Sequence, residues 1–199
     1  MPKVVAGYKE EARKTILETA AGVFAQKGYR DATMDDVAKE LGVSKGAVYQ
    51  YFTSKDELFQ ELCGKAAKLV EERLSTSFTG PDLRRAAEKY MGSELDRFQK
   101  RGVLMFEAFA EAPRNQSINK LIRNNYTTVM EVMTKFLEAL KEKGSLRGEM
   151  DSASVAAVLI ALRHGVLATV LMGVRREEAM RVWMDGIEAV LGPYMADER

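Results

Sequence analysis

The chain has 199 residues, 46% hydrophobic and 30% charged, which suits one large helical domain or a small domain joined to a larger one. Thirty lysines and arginines stand against 29 aspartates and glutamates, so the chain lacks the global basic charge of many nucleic-acid binders. A single cysteine, Cys63, rules out an internal disulfide framework, and with one histidine beside it no Cys/His metal cluster or nucleophilic couple can form.

The first residues lack the apolar core of a signal peptide, and together with the lone cysteine this points to a cytoplasmic protein. From about Lys9 to Lys27, Ile16, Leu17, Ala20, Val23 and Phe24 recur at three- and four-residue spacing, predicting an amphipathic helix that Gly28 ends.

The stretch from Thr33 to Phe52 is the one around which the rest is organised. Thr33 is a candidate N-cap, and Asp35 and Asp36 follow in the first turn, where carboxylates suit the positive end of the helix dipole. Val37 and Leu41 share a face, and Gly42 can take the left-handed conformation that closes a helix. Ser44 is then a second N-cap, so two short helices meet at a tight corner. Ala38 allows close approach, and Val43 and Val48 are expected to pack across the corner. The second helix, from Lys45 to about Tyr51, turns outward Lys45, Gly46, Ala47, Tyr49 and Gln50, with no carboxylate among them. Gly46 costs a helix about 1 kcal/mol relative to Ala; close approach to a DNA groove would account for it. The stretch reads as a helix-turn-helix that binds double-stranded DNA. Residues 1–60 carry nine basic and nine acidic side chains, so affinity must come from local placement: Lys45 and Lys55, with Lys3, Lys9, Arg13 and Lys14 upstream.

The run Gly42-Val-Ser-Lys-Gly-Ala-Val-Tyr-Gln-Tyr-Phe-Thr-Ser-Lys-Asp-Glu-Leu58 resembles the signature of the TetR family of transcriptional regulators, over roughly residues 9–59. The resemblance implies phosphate contacts from Thr33, Tyr49 and Lys55 and base-edge contacts from Lys45, Gly46, Ala47 and Gln50, with Ser44 and Tyr51 alongside. It also implies a homodimeric repressor and a small-molecule effector of multidrug or fatty acyl type.

Beyond the corner, Ser54-Lys-Asp-Glu57 is a capping box that opens a helix expected to run unbroken to about Thr76. Further helices are expected at about 82–100, 103–112, 116–143, 152–172 and 177–191, with no strand. The fold class is therefore all-α. An N-terminal three-helix helix-turn-helix domain (1–54) is joined through a long connecting helix (55–76) to a C-terminal helical ligand-binding and dimerisation domain (55–199).

Residues 153–172 are as long and apolar as a membrane span of about 20 residues, but Arg163 and His164 lie at the middle, where an arginine in lipid costs about 2.5–3.5 kcal/mol. A protein-packed helix is the better reading, with no membrane partner. Ala153, Ala157, Ala161 and Gly165 make a smooth ridge. With Met180, Trp183 and Ile187 on the last helix, they are the expected dimer interface.

Nine of the eleven methionines lie beyond residue 80, among several aromatics. A stripe of this kind is either ordinary core or the lining of an apolar pocket, and the family resemblance favours the pocket. Its candidate residues are Leu62, Ala66, Phe98, Met105, Phe106, Phe109, Tyr126, Met130, Met133, Arg163 and Leu167. Arg163 would anchor an anion, or else pair, like His164, with acids at a subunit interface. The lone histidine is the one side chain that ordinarily titrates near neutral pH. No phosphate-binding loop or dinucleotide fingerprint is present, so neither an enzyme nor a cofactor is expected. The alternative is a helical lipid carrier or interaction protein that never touches DNA.

Overall fold

The computed structural model describes residues 4–64, 66–79 and 82–195, apart from the side chains of residues 4–7, 66, 67 and 99–102. Among these there are nine α-helices and no strand, in keeping with the all-α expectation: α1 (Val4–Asp31), α2 (Met34–Leu41), α3 (Lys45–Tyr49), α4 (Lys55–Cys63), α5 (Ala66–Ser77), α6 (Leu83–Glu111), α7 (Gln116–Glu142), α8 (Ser152–Leu171) and α9 (Arg176–Leu191).

Two helices differ from expectation. The helix predicted from Ser54 to Thr76 forms as two pieces, α4 and α5, with Gly64 in a turn after α4. Conversely, the two helices predicted at 82–100 and 103–112 are one continuous α6. A helix-interior glycine costs about 1 kcal/mol, so Gly102 weakens α6 locally without ending it.

The chain folds into two compact units. Unit 1 comprises residues 1–65 with 101–124, and unit 2 comprises 66–100 with 125–199. The unit holding the helix-turn-helix thus also includes the end of α6 and the start of α7. Its core gathers Ile16, Ala20 and Phe24 from α1, Val37 and Ala38 from α2, Val48, Phe52, Leu58 and Phe59, then Leu104, Ala108 and Ile118 from the two later helices. Phe59 packs edge-on against Phe24, ring centroids 5.2 Å apart, and lies 4.6 Å from Tyr29. Fully burying one such ring contributes about 1.5–3 kcal/mol.

Gly28 bends the end of α1, at φ 75° and ψ 163°. Only glycine fits comfortably there, because the left-handed φ is coupled to a close approach: the Glu107 carboxylate lies 3.4 Å from where a Cβ would project, and it accepts the Tyr29 backbone N–H at 3.1 Å.

In unit 2, the inward residues of α6 (Ala87, Tyr90, Met91, Leu95), α7 (Met133, Leu137, Leu140), α8 (Ala156, Leu159, Ile160, Leu167) and α9 (Ala179, Trp183, Ile187, Leu191) are buried. Trp183 Nε1 donates to the Ala87 carbonyl at 2.9 Å, tying α9 to α6. α8 and α9 approach closely at Gly186, where a Cβ would meet Leu162 Cδ2 at 2.6 Å. α8 is capped by Asp151, whose carboxylate accepts from the Ala153 and Ser154 amides. It is long and apolar enough to cross a membrane by length and composition, yet only 28% of it is buried. Val158 is 49% exposed and Met172 74%.

Candidate nucleic-acid interface

The reading head is built from its caps. Thr33 and Asp36 form a reciprocal box at the start of α2: the Asp36 amide donates to Thr33 Oγ1 at 3.2 Å, and the Thr33 amide donates to Asp36 Oδ2 at 3.0 Å. The Thr33 hydroxyl donates to the same carboxylate at 2.8 Å, so a phosphate would have to compete for that proton. Lys27, at 2.6 Å, and Thr33 pull the Asp36 carboxyl down to about 2. Gly42 turns the chain with φ 69°, and its left-handed cap returns N–H groups to α2. Ser44 then caps α3, accepting the Ala47 amide at 3.3 Å.

α3 is anchored by Val48, fully buried with Val37 and Phe52. Val43, expected to pack across the corner, is instead 45% exposed; its contribution is through its backbone N–H, which donates to Ala38 O at 3.0 Å. With Val48 turned inward, Ser44, Lys45, Gly46, Tyr49 and Gln50 are exposed and Ala47 and Tyr51 half-buried. Thr33, at the start of α2, is exposed as well.

Two features of that surface are not visible from sequence spacing. Asp35 of α2 reaches Lys45 Nζ at 3.0 Å and raises its proton affinity, so the carboxylate-free face of α3 does carry an acid, supplied by its neighbour across the corner. Lys55 donates to the carbonyls of Tyr29 at 2.7 Å and Arg30 at 3.0 Å, its ammonium 4.6 Å from the Tyr29 ring centre. Two of its three donors thus hold the end of α1, leaving one for a phosphate. Arg13, counted in the sequence among the positive charges near the head, is bound to Glu61 and to the Tyr51 carbonyl, at 2.7 Å, and stacks over Phe52. It is a structural cation and not a free phosphate contact. Lys9 and Lys14 are exposed, and Lys3 lies outside the described residues.

Behind the head, Tyr29 donates its phenol to Asp56, and Asn115 Nδ2 donates to the same carboxylate at 3.2 Å. Burial, reinforced by Asp56, holds the Tyr29 phenol well above its ordinary pKa. Arg30 pairs with Glu111 at 2.9 Å. These partners sit 27, 59 and 81 residues apart in sequence, and no local pattern announces them.

The expected effector residues are divided between the two units. Leu62, Met105, Phe106 and Phe109 belong to unit 1, where the last two meet edge-on at 6.0 Å. Phe98, Tyr126, Met130, Met133, Arg163 and Leu167 belong to unit 2, and the side chain of Ala66 is outside the described residues. Unit 2 contains an apolar cavity of about 30 Å³ lined by Leu74, Phe78, Leu83, Ala87, Tyr90, Met133, Phe136, Leu137, Leu140, Leu159, Trp183, Ile187 and Leu191. Of the expected effector residues, Met133 alone is in its wall; Tyr126 is 49% exposed, and Phe98 and Leu167 are ordinary core.

Trp183 and Ile187, expected at the dimer interface, line this cavity at 4% exposure each, so neither is available to a second subunit. The stripe on α9 is real, but it faces inward. Ala153, Ala161 and Gly165 are exposed, and Ala157 and Met180 half-buried.

Arg163 donates through Nε to Glu94 at 2.5 Å, and Arg73 pairs with the same carboxylate. The acid that Arg163 meets is therefore on α6 of its own chain. Burial first and Arg163 second push the His164 imidazole down to about 4, which keeps it neutral at neutral pH instead of poised to switch.

These observations agree with the comparisons to known proteins. Residues 16–62 match the family model for bacterial regulatory proteins of the tetR family, and residues 81–192 match that for the C-terminal region of BetI-type transcriptional repressors. The transcriptional regulator UidR of Escherichia coli (strain K12) is 26% identical over 184 residues, 92% of each chain. A regulator from Saccharomonospora viridis solved in complex with choline has the same fold, with a TM-score of 0.76 and 24% identity over 96% of this chain and 100% of that one. The complex of SmeT with triclosan matches with a TM-score of 0.76 and 22% identity over 93% and 92%. The chain belongs to the TetR family, whose members are helix-turn-helix transcriptional regulators and not enzymes.

Proposed function

We propose that the chain is a cytoplasmic homodimeric repressor whose two α3 helices read successive major grooves of a roughly palindromic operator, and that a small lipophilic effector in unit 2 releases it. The observation that carries the reading is the two-sided build of α3: Val48 is fully buried in the unit 1 core, while Lys45, Gly46, Tyr49 and Gln50 are exposed beside the capped start of α2. Phosphates are met by Thr33, Tyr49 and the remaining Lys55 donor, and base edges by Lys45, Gly46, Ala47 and Gln50, with Ser44 and Tyr51 flanking them. Family membership sets aside the carrier reading without DNA binding.

A second copy of the chain is the partner that suits α8. Its exposed stripe of Ala153, Val158, Ala161, Gly165 and Met172, with Val182 of α9, is an apolar surface of small residues on which a helix can pack closely. Paired half-sites about one helical turn apart require paired heads.

Two neighbours of the same fold were solved with small molecules, choline and triclosan, and the apolar cavity supports an effector site here. The route to the head is α6: Leu83, Ala87 and Tyr90 line the cavity, and its last turns bond to Tyr29 and Arg30 through Glu107 and Glu111. A ligand that displaces α6 shifts the support of α1, and about 1–3 kcal/mol of coupling makes a useful switch. The unbroken lever from Ser54 to Thr76 expected from the sequence is replaced in this role by α6.

Native mass spectrometry with an operator duplex tests the assembly. Two chains per duplex are expected, and Ala161→Glu is expected to give monomers that bind the duplex weakly. A monomeric wild-type protein, or a variant that remains dimeric, contradicts the α8 interface.

A further inference from the structure

The buried charges of unit 2 do not balance. Arg73 and Arg163, 13% and 15% exposed at their side chains, share the single carboxylate of Glu94, 2% exposed. Two cations on one anion leave one positive charge unmatched in a low-dielectric site. Three buried polar atoms there make no hydrogen bond: the donors Arg73 Nε and the phenol of Tyr90, a residue 2% exposed, and Glu94 Oε1, which the Arg73 guanidinium meets only as an ion pair. Burial, with Arg97 and Arg163, holds the Arg73 guanidinium down to about 10 against the opposing influence of the nearby Tyr90 and Glu72. Tyr90 also belongs to the cavity wall, where its ring stacks on Trp183, centroids 6.1 Å apart.

From this arrangement we infer that the effector site of unit 2 takes an amphipathic monoanion. Its carboxylate accepts from Arg73 Nε and the Tyr90 hydroxyl, and its apolar body extends into the cavity past Trp183 and Met133. The inference rests on the effector reading above and names the ligand class. The single excess charge selects a monoanion over a phosphate dianion. A cation is disfavoured, because Glu94, the buried acid of the cluster, is already held by two arginines. The cavity of about 30 Å³ is smaller than a ligand tail, so entry requires wall side chains to shift, which the unbranched Met133 does readily. The anion anchor is thus Arg73 of α5, in place of the Arg163 of α8 expected from the sequence.

Trp183, the only tryptophan of the chain, is a built-in reporter. The full-length protein is titrated with decanoate, decanol and decyltrimethylammonium, probes of one tail and three charges, following Trp183 fluorescence and then release of operator DNA. Decanoate is expected to bind at least tenfold tighter than the other two. Arg73→Gln, which leaves a neutral Arg163–Glu94 pair and should fold, is expected to abolish that preference while retaining decanol, and Tyr90→Phe to weaken decanoate severalfold. Tightest binding by the alcohol or the ammonium, or a preference for decanoate that survives Arg73→Gln, overturns the monoanion assignment and leaves the effector reading intact. If no probe changes Trp183 or DNA binding, both fall.

Discussion

The two compact units treat buried polar groups in opposite ways. In unit 1 they are paired: Tyr29 and Asn115 converge on Asp56, Arg13 on Glu61, Lys55 on the carbonyls that end α1, and Glu107 on the Tyr29 amide. Among the described residues, every buried side-chain polar atom without a hydrogen bond is in unit 2, Arg73 Nε and the Tyr90 hydroxyl among them. A fully satisfied network specifies one arrangement, which suits a head that must present α3 at a fixed angle. An unsatisfied one, beside a cavity, suits a region that responds to what it binds.

The largest effect should come from core truncations. Phe59→Ala, at a fully buried ring touching Phe24 and Tyr29, is expected to cost unit 1 about 3–5 kcal/mol in denaturant unfolding. Phe136→Ala, at a half-buried cavity wall, should cost less than half as much and enlarge the space for a ligand. Equal costs would erase the contrast between a rigid and an adaptable unit.

A second effect is tied to pH and belongs to unit 2. Unfolded histidine takes up a proton near pH 6.5, folded His164 only near 4. The unfolded state therefore binds more protons across that window, and stability falls as pH drops. Between pH 6.5 and 5 the loss is about 1.5 kcal/mol. His164→Asn should flatten that slope in pH-dependent unfolding; an unchanged slope would place the acid sensitivity elsewhere.

A smaller effect probes the head. Thr33→Ala removes one half of the capping box, and about 1 kcal/mol of stability should go with it. Because the same hydroxyl is assigned to a phosphate, operator affinity should fall by more than the stability loss explains. Equal wild-type and variant affinity would confine Thr33 to capping.

Legibility in the sequence follows the range of the interaction. Thr33, Gly42, Ser44 and Ser54 act within a few residues, and each marks its helix end where expected, whereas Gly28, expected to end α1, kinks it three residues before its end. The exposure of Lys45, Gly46, Tyr49 and Gln50 around a buried Val48 was legible for the same reason. Periodicity on α9 grouped Trp183 with Ile187 correctly, but a stripe does not say whether it faces its own core or a partner, and here it faces the cavity. The Asp35–Lys45 pair depends on the angle at the corner, and the Arg73–Glu94–Arg163 cluster joins three helices. Neither has a local signature. The helix break at Gly64 and the lack of one at Gly102 show that glycine alone does not decide continuity.

The most direct test of the central claim is selection of bound duplexes from a random DNA library by the full-length protein, repeated with Lys45→Ala. The account predicts enrichment of an inverted repeat with half-site centres about one helical turn or a multiple apart, and, for the variant, relaxed sequence preference within each half-site and a salt dependence shallower by about one contact per head. Enrichment of no motif, or of a motif without two-fold symmetry that Lys45→Ala leaves unchanged, would contradict it.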